Sequence, residues 1–158
     1  MLVWILTDNR IGSNNQSIAV GESLSDNCVK KNIVYNKFIF LPNLIRQNTL
    51  LGINRKKSDN IYDNLPDVVI CAGRRLSSVA LNIKKRSKGK AFVINIMHPN
   101  LNFGKFDLVI LPKHDCTSSN ILNKYQNIIE TNGTLNRVNR EKIAEENNKW
   151  NDFFKDYK

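Results

Sequence analysis

Two adjacent arginines, Arg74 and Arg75, stand behind Gly73 at the end of the apolar run Val68-Val69-Ile70-Cys71-Ala72. A guanidinium group grips phosphate or carboxylate with a two-pronged fork of N–H donors. A glycine turn carrying two of them is therefore a candidate anion site. The run before the turn has no polar alternation, the pattern of a strand covered on both faces within a parallel sheet. Pro66, which cannot donate to a ladder, suits its start. Val79, Ala80 and Ile83 recur at helical spacing, which predicts a helix from about Leu76, with Ser77 and Ser78 close to its start. Strand, glycine turn and helix N-terminus together would present free N–H groups and the positive end of a helix dipole to an anion. The alternative is a surface turn with two solvated arginines.

Three other places combine reactive side chains with a predicted strand end, where open α/β sheets bind ligands. Thr7, Asp8, Arg10, Gly12, Asn14 and Gln16 fall in a polar stretch between a first strand at residues 2–6 and a helix predicted over residues 14–25. The stretch contacts a ligand or only caps the helix through Asn and Ser side chains. It is not a dinucleotide fingerprint, having one glycine, and it lacks the Gly-Lys-Ser/Thr ending of a phosphate-binding P-loop. His98, before Pro99, ends the apolar run at residues 91–96. It can act as acid, base or phosphate contact, or can cap the turn. His114 beside Asp115 follows the run at residues 106–111. That pair reads either as an oriented imidazole or as local turn chemistry.

Elements must place these residues on one edge. Residues 33–40, rich in Ile, Val, Tyr and Phe, read as a second strand, and residues 127–130 as a last short one. Residues 43–64 are a lid or an exposed insertion, with apolar positions that predict a short helix over residues 44–53 or dock on a partner. From Asn139 the pattern turns charged and helical, with Trp150, Phe153 and Phe154 on an amphipathic face that needs a surface to cover. The predicted architecture is α/β, a single Rossmann-like three-layer domain with a mostly parallel sheet.

Composition narrows the function classes. The chain has 158 residues, 41% hydrophobic and 24% charged, which fits one globular domain and excludes a disordered chain. Net charge is +10, which suits nucleic acid, anionic lipid or a phosphorylated ligand. The basic residues are scattered, with no dense run interleaved with aromatics, so nucleic acid ranks low. Cys28, Cys71 and Cys116 show no metal-ligand spacing and read as reduced thiols of a cytoplasmic protein. The apolar start at residues 1–6 is too short for a signal peptide or a transmembrane segment. No cofactor and no metal are expected.

Several stretches resemble one family in its order and spacing. They are Trp4-Ile5-Leu6-Thr7-Asp8 with Gly12-Ser13-Asn14-Asn15-Gln16, Pro66 through Arg75, Ile96-Met97-His98-Pro99, Phe106 through Ile110 with Pro112-Lys113-His114-Asp115, and Gly133 through Val138. They resemble the N-terminal half of the mitochondrial fission (elongated mitochondria) family, in a bacterial branch. The chain departs at Asn9, where the family has glycine, and at Ile11, where a small residue is usual. The resemblance implies a fold similar to GT-B glycosyltransferases, in which two Rossmann-like domains face each other across a cleft. Residues 1–138 would be the acceptor-side domain. Residues 139–158 would be a helix leading to a second domain that another polypeptide would have to supply. Thr7, Asp8, Arg10, Gly12, Asn14, Gln16, Gly73, Arg74, Arg75, His114 and Asp115 would then line the cleft, with His98 the first candidate base and the arginines on an anionic lipid or lipid-linked acceptor. Catalysis by this chain alone is not expected, because one domain offers one wall of the cleft. The second reading is a non-enzymatic interaction or scaffold domain, meeting a partner protein or the inner face of a membrane.

Overall fold

The run Val68–Ala72 is buried at every position, because helices cover both faces of the sheet it joins. The computed structural model describes residues 1–46, 49–116, 119–138 and 140–155. In chain order the elements are β1 (Val3–Thr7), α1 (Ile11–Leu24), β2 (Cys28–Asn32), α2 (Asn43–Arg46), β3 (Val68–Ala72), α3 (Gly73–Arg86), β4 (Phe92–Ile96), β5 (Leu108–Pro112), α4 (Ser119–Lys124), β6 (Ile128–Thr131) and α5 (Arg140–Phe154). The six strands form one sheet in the order β2-β1-β3-β4-β5-β6. Every pairing is parallel, with Val3 opposite both Cys28 and Val68, and Val68 opposite Phe92. The fold is the expected Rossmann-like α/β architecture.

Strand periodicity sorts the core into two layers. Trp4, Leu6, Val69, Cys71, Val93, Val109 and Leu111 pack with Leu76, Val79, Ala80 and Ile83 of α3. The alternate residues Val3, Ile5, Val68, Ile70, Ile94 and Ile96 pack with Ile18 on the opposite face, under α1. α1 lies close to β1 because Gly21 carries no side chain: a Cβ there would stand 2.8 Å from Ile5 Cγ1.

Four boundaries differ from the sequence reading. The second strand is Cys28–Asn32, not residues 33–40. It is an edge strand paired only to β1, so its outer positions stay polar without penalty. The apolar run expected there lies beyond its end. Ile33 is buried, Tyr35 makes a lone antiparallel bridge to Ile53, and Lys37–Phe40 form one 3-10 turn capped by Asn36. α1 starts at Ile11 and not near Asn14, which draws Gly12 into its first turn. α3 starts at Gly73 and not near Leu76, so Arg74 and Arg75 are its first-turn residues. The helix expected over residues 44–53 is a single turn, α2.

Among the described residues no helix is long and apolar enough to cross a membrane. α5 exposes the aromatic residues anticipated for it: Trp150 stacks on Phe154, Phe153 meets both rings edge to face, and each is about half exposed. Asn139, expected to cap this helix, lies outside the described residues.

Candidate functional site: an arginine-lined cavity at the strand ends

The order β2-β1-β3 means that the chain leaves β1 toward one edge of the sheet and β3 toward the other. The loops after these two strands diverge and open a crevice, the usual ligand position in such sheets. Asp8, Asn9 and Arg10 form one side of it and the Gly73 turn the other.

Gly73 has φ of +72°, a left-handed value that side chains disfavour. The sharp turn lets α3 begin directly at the strand end, with its first N–H groups unpaired within the helix. The first turn contains no acidic residue, so nothing on the helix neutralises its positive end. Ser77 Oγ lies 2.9 Å from the Gly73 carbonyl and 2.8 Å from Asn95 Oδ1, and Asn95 Nδ2 donates to the Met97 carbonyl at 2.8 Å. Asn95 and Ser77 are fully buried. The pair ties the start of α3 to the turn after β4.

Asp8 is the hub of the opposite side. Its carboxylate is fully buried, accepts the Arg10 backbone N–H at 2.9 Å, and pairs with the Arg10 guanidinium at 3.0 Å. The Tyr35 hydroxyl donates to it at 2.9 Å. The Arg10 guanidinium nitrogens lie 3.5 Å from where a Cβ on Gly73 would stand, so the two loops meet at that point. Burial, and then the charge and hydrogen bond of Asp8, push the Tyr35 phenol well above its ordinary range, while Arg10 and Arg75 act in the opposite sense.

The segment between β2 and β3 supplies the remaining wall. Asn36 Nδ2 donates to the carbonyls of Leu51 and Ile53, which closes the excursion on itself. It carries α2 against α3. Arg46 is thereby buried, its Nε donating to the Leu41 carbonyl at 3.1 Å. The result is a cavity of about 490 Å³ lined by Ile39, Phe40, Leu41, Pro42, Arg46, Arg74, Arg75 and Asn100. Three of those residues are arginines and none is acidic. Burial lowers the Arg46 pKa, and the Arg75 and Arg74 charges lower it further against the opposing pull of Tyr35. The three guanidinium charges therefore feel one another, and a bound anion would relieve that repulsion.

The candidate residues are not all brought together. Arg74 and Arg75 line the cavity; Asp8, Arg10 and Gly73 form the crevice beside it. Thr7 ends β1 with its hydroxyl 3.4 Å from the Lys31 carbonyl. Asn14 is a local clamp, accepting the Asp8 N–H at 3.0 Å and donating to the Asp8 carbonyl at 2.6 Å. Gln16 is buried under the sheet with Nε2 3.3 Å from Met97 Sδ, and Gly12 is exposed on α1. His98 accepts the Asn100 N–H on Nδ1 at 3.0 Å and meets the Phe103 ring at 5.0 Å. Its neutral ring then carries the proton on Nε2 and offers a donor. His114 is exposed after β5, 3.9 Å from Asp115. Neither histidine is in the cavity lining. Sequence reasoning missed Tyr35, Arg46, Asn95 and Asn100. Only Asn95 left a signal, an amide inside the apolar run Phe92–Ile96. Among the described residues no group of His, Cys, Asp and Glu side chains could hold a metal ion.

A family profile described as Mitochondrial fission ELM1 matches residues 11–158. The chain is 36% identical over 131 residues to Uncharacterized protein RP120 of Rickettsia prowazekii (strain Madrid E), covering 78% of this chain and 37% of that protein. It is 40% identical over 50 residues to Mitochondrial fission protein ELM1 of Arabidopsis thaliana, covering 32% of this chain and 12% of that protein. The matched part is thus well under half the length of either relative. No solved structure matches.

Proposed function

The chain belongs to the mitochondrial fission ELM1 family, and from that premise we propose that it is the acceptor-side binding half of a GT-B-like sugar-transfer protein. A second domain, on the same or another polypeptide, would supply the donor side, and this half would be inactive alone. Its task is to hold the phosphate groups of a lipid-linked acceptor. One observation carries the reading: Arg46, Arg74 and Arg75 share a cavity with no carboxylate among its described lining residues. Ile39 to Pro42 give the same lining an apolar part, and Phe40 is 85% exposed. An anionic head joined to an apolar chain satisfies both parts of the lining.

In the complete fold the acceptor oxygen would attack the anomeric carbon of the sugar, the donor's nucleotide would leave with the bonding electron pair, and the acceptor proton would pass to a base. His98 stays a candidate for that base only if it releases the Asn100 N–H from Nδ1, the ring nitrogen that would take the proton. As placed, His98 is better suited to donate from Nε2 to a phosphate.

The test is thermal unfolding of the chain with nucleotide-sugars, lipid diphosphate analogues and anionic headgroups. A ligand that binds only the folded state at a hundred times its dissociation constant adds about 2.7 kcal/mol. The expected result is a higher Tm with diphosphate-bearing ligands, lost in the Arg74→Ala/Arg75→Ala double variant. An equal shift in the double variant would contradict the reading. A cooperative transition indifferent to every ligand would favour the second reading, a scaffold or interaction domain, whose supporting observation is the exposed Trp150, Phe153 and Phe154 cluster on α5.

A further inference from the structure

We propose that Tyr35 is a positioning residue that sets the spacing of two guanidinium groups, Arg10 and Arg75, so that they share one diphosphate. The proposal rests on the anion-binding reading above and adds which side chain decides between one phosphate and two.

Arg10 comes from the loop after β1 and Arg75 from the first turn of α3, on opposite sides of the crevice between β1 and β3. Left alone, two like charges on separate segments would move apart. Tyr35 touches both. Its ring lies under the Arg75 guanidinium, with Cζ 5.8 Å from the ring centroid, a cation–π distance. Its hydroxyl donates to Asp8 Oδ2 at 2.9 Å, and Asp8 grips Arg10 through Nε at 3.1 Å and Nη2 at 3.0 Å. The chain Arg75–Tyr35–Asp8–Arg10 therefore fixes one guanidinium relative to the other. Tyr35 is itself held by the antiparallel bridge to Ile53, next to the Asn36 bonds that close the excursion carrying Arg46. One aromatic side chain thus joins all three segments that bring arginines to the site. Arg10 Nη2 is buried, and its approach to Asp8 is close but not aligned for a hydrogen bond. The Arg10 side chain as a whole is 32% exposed, which leaves part of it open to a phosphate oxygen.

A single phosphate can be held by one arginine fork, and a diphosphate needs two forks at a set separation. The residue that sets the separation controls the preference for pyrophosphate over phosphate. Calorimetric titration of the full chain with inorganic pyrophosphate, and separately with inorganic phosphate, tests this in the unchanged protein, Tyr35→Phe and Tyr35→Leu. The expected ratio of the two affinities falls by about tenfold in Tyr35→Leu, the effect of one hydrogen bond to a charged group. Tyr35→Phe keeps the ring under Arg75, frees Asp8, and falls between the other two. Urea unfolding of each variant reports stability separately. A tyrosine with a merely structural role would lower the unfolding midpoint and leave the ratio of affinities unchanged, which would overturn the proposal. If Tyr35→Leu fails to fold, Tyr35→Phe, which preserves the ring, decides alone. An unchanged protein that binds neither anion would overturn the anion-binding reading, and this proposal with it. Binding with a ratio indifferent to Tyr35 would overturn this proposal only.

Discussion

At the scale of single residues, the site depends on charged and polar groups taken out of water in pairs. A buried carboxylate is tolerated only when paired and hydrogen-bonded, and Asp8 meets that condition through Arg10 and Tyr35. Two buried protons give the fold a testable pH dependence. Burial pushes the Cys71 thiol above its ordinary value of 9.0, and burial and Asp8 push the Tyr35 phenol above its ordinary 10.0. The unfolded chain releases these protons at the ordinary values while the folded chain keeps them. Above that range the native state binds more protons than the unfolded one, so stability falls as pH rises. Urea unfolding from about pH 7 to about pH 11 should show a constant midpoint up to about pH 9 and a decline beyond it. Cys71→Ala should shallow the earlier part of that decline, to which Cys28 and Cys116, also raised by burial, contribute as well, and Tyr35→Phe should shallow the later part. A midpoint that declined identically in all three proteins would contradict the assignment.

At the scale of elements, the legible parts of the sequence were those whose burial is two-sided. Val68 to Ala72, Val93 to Ile96 and Val109 to Leu111 are apolar but for Asn95 because both faces are covered, and their type and place follow from the residues alone. β2 was not legible. Cys28-Val29-Lys30-Lys31-Asn32 lies at an edge with one neighbour, so packing makes few demands on its composition. The neighbouring run at residues 33–40 has strand propensity, and tertiary context uses it as a turn instead. Of the site, Gly73, Arg74 and Arg75 were legible because turn, charge and strand end are adjacent in sequence. Arg46 and Tyr35 were not, since only the folded excursion brings them there. Close packing of α1 on β1 is the element-level feature most open to test. A Cβ at Gly21 would press on Ile5, which is fully buried and boxed in. Gly21→Val should lower stability by about 1–3 kcal/mol through overpacking, read from the urea midpoint. It should leave the arginine cavity's anion affinity intact, since Gly21 lies near the far end of α1. A variant of unchanged stability would contradict the described contact between helix and strand.

At the scale of the whole molecule, the question is whether anions are bound at a place or attracted by a total. Net charge +10 draws any anion, and attraction between exposed charges is screened beyond about 10 Å at 0.1 M salt. Binding inside a lined cavity is screened less. The matched part of the chain covers 37% of the Rickettsia relative, and the crevice at the ends of β1 and β3 is the surface that a donor domain would face in the proposed architecture. The most direct measurement is an amide chemical-shift titration of isotopically labelled protein with pyrophosphate at 0.1 M salt, about where that screening holds. Binding at the arginine cavity should give saturable shifts confined to Asp8, Asn9, Arg10 and Ile11, to Gly73 through Leu76, and to Asn100 and Arg46. Non-saturating shifts spread over the lysines of residues 84–90 and of α5, with Gly73 to Leu76 silent, would contradict it.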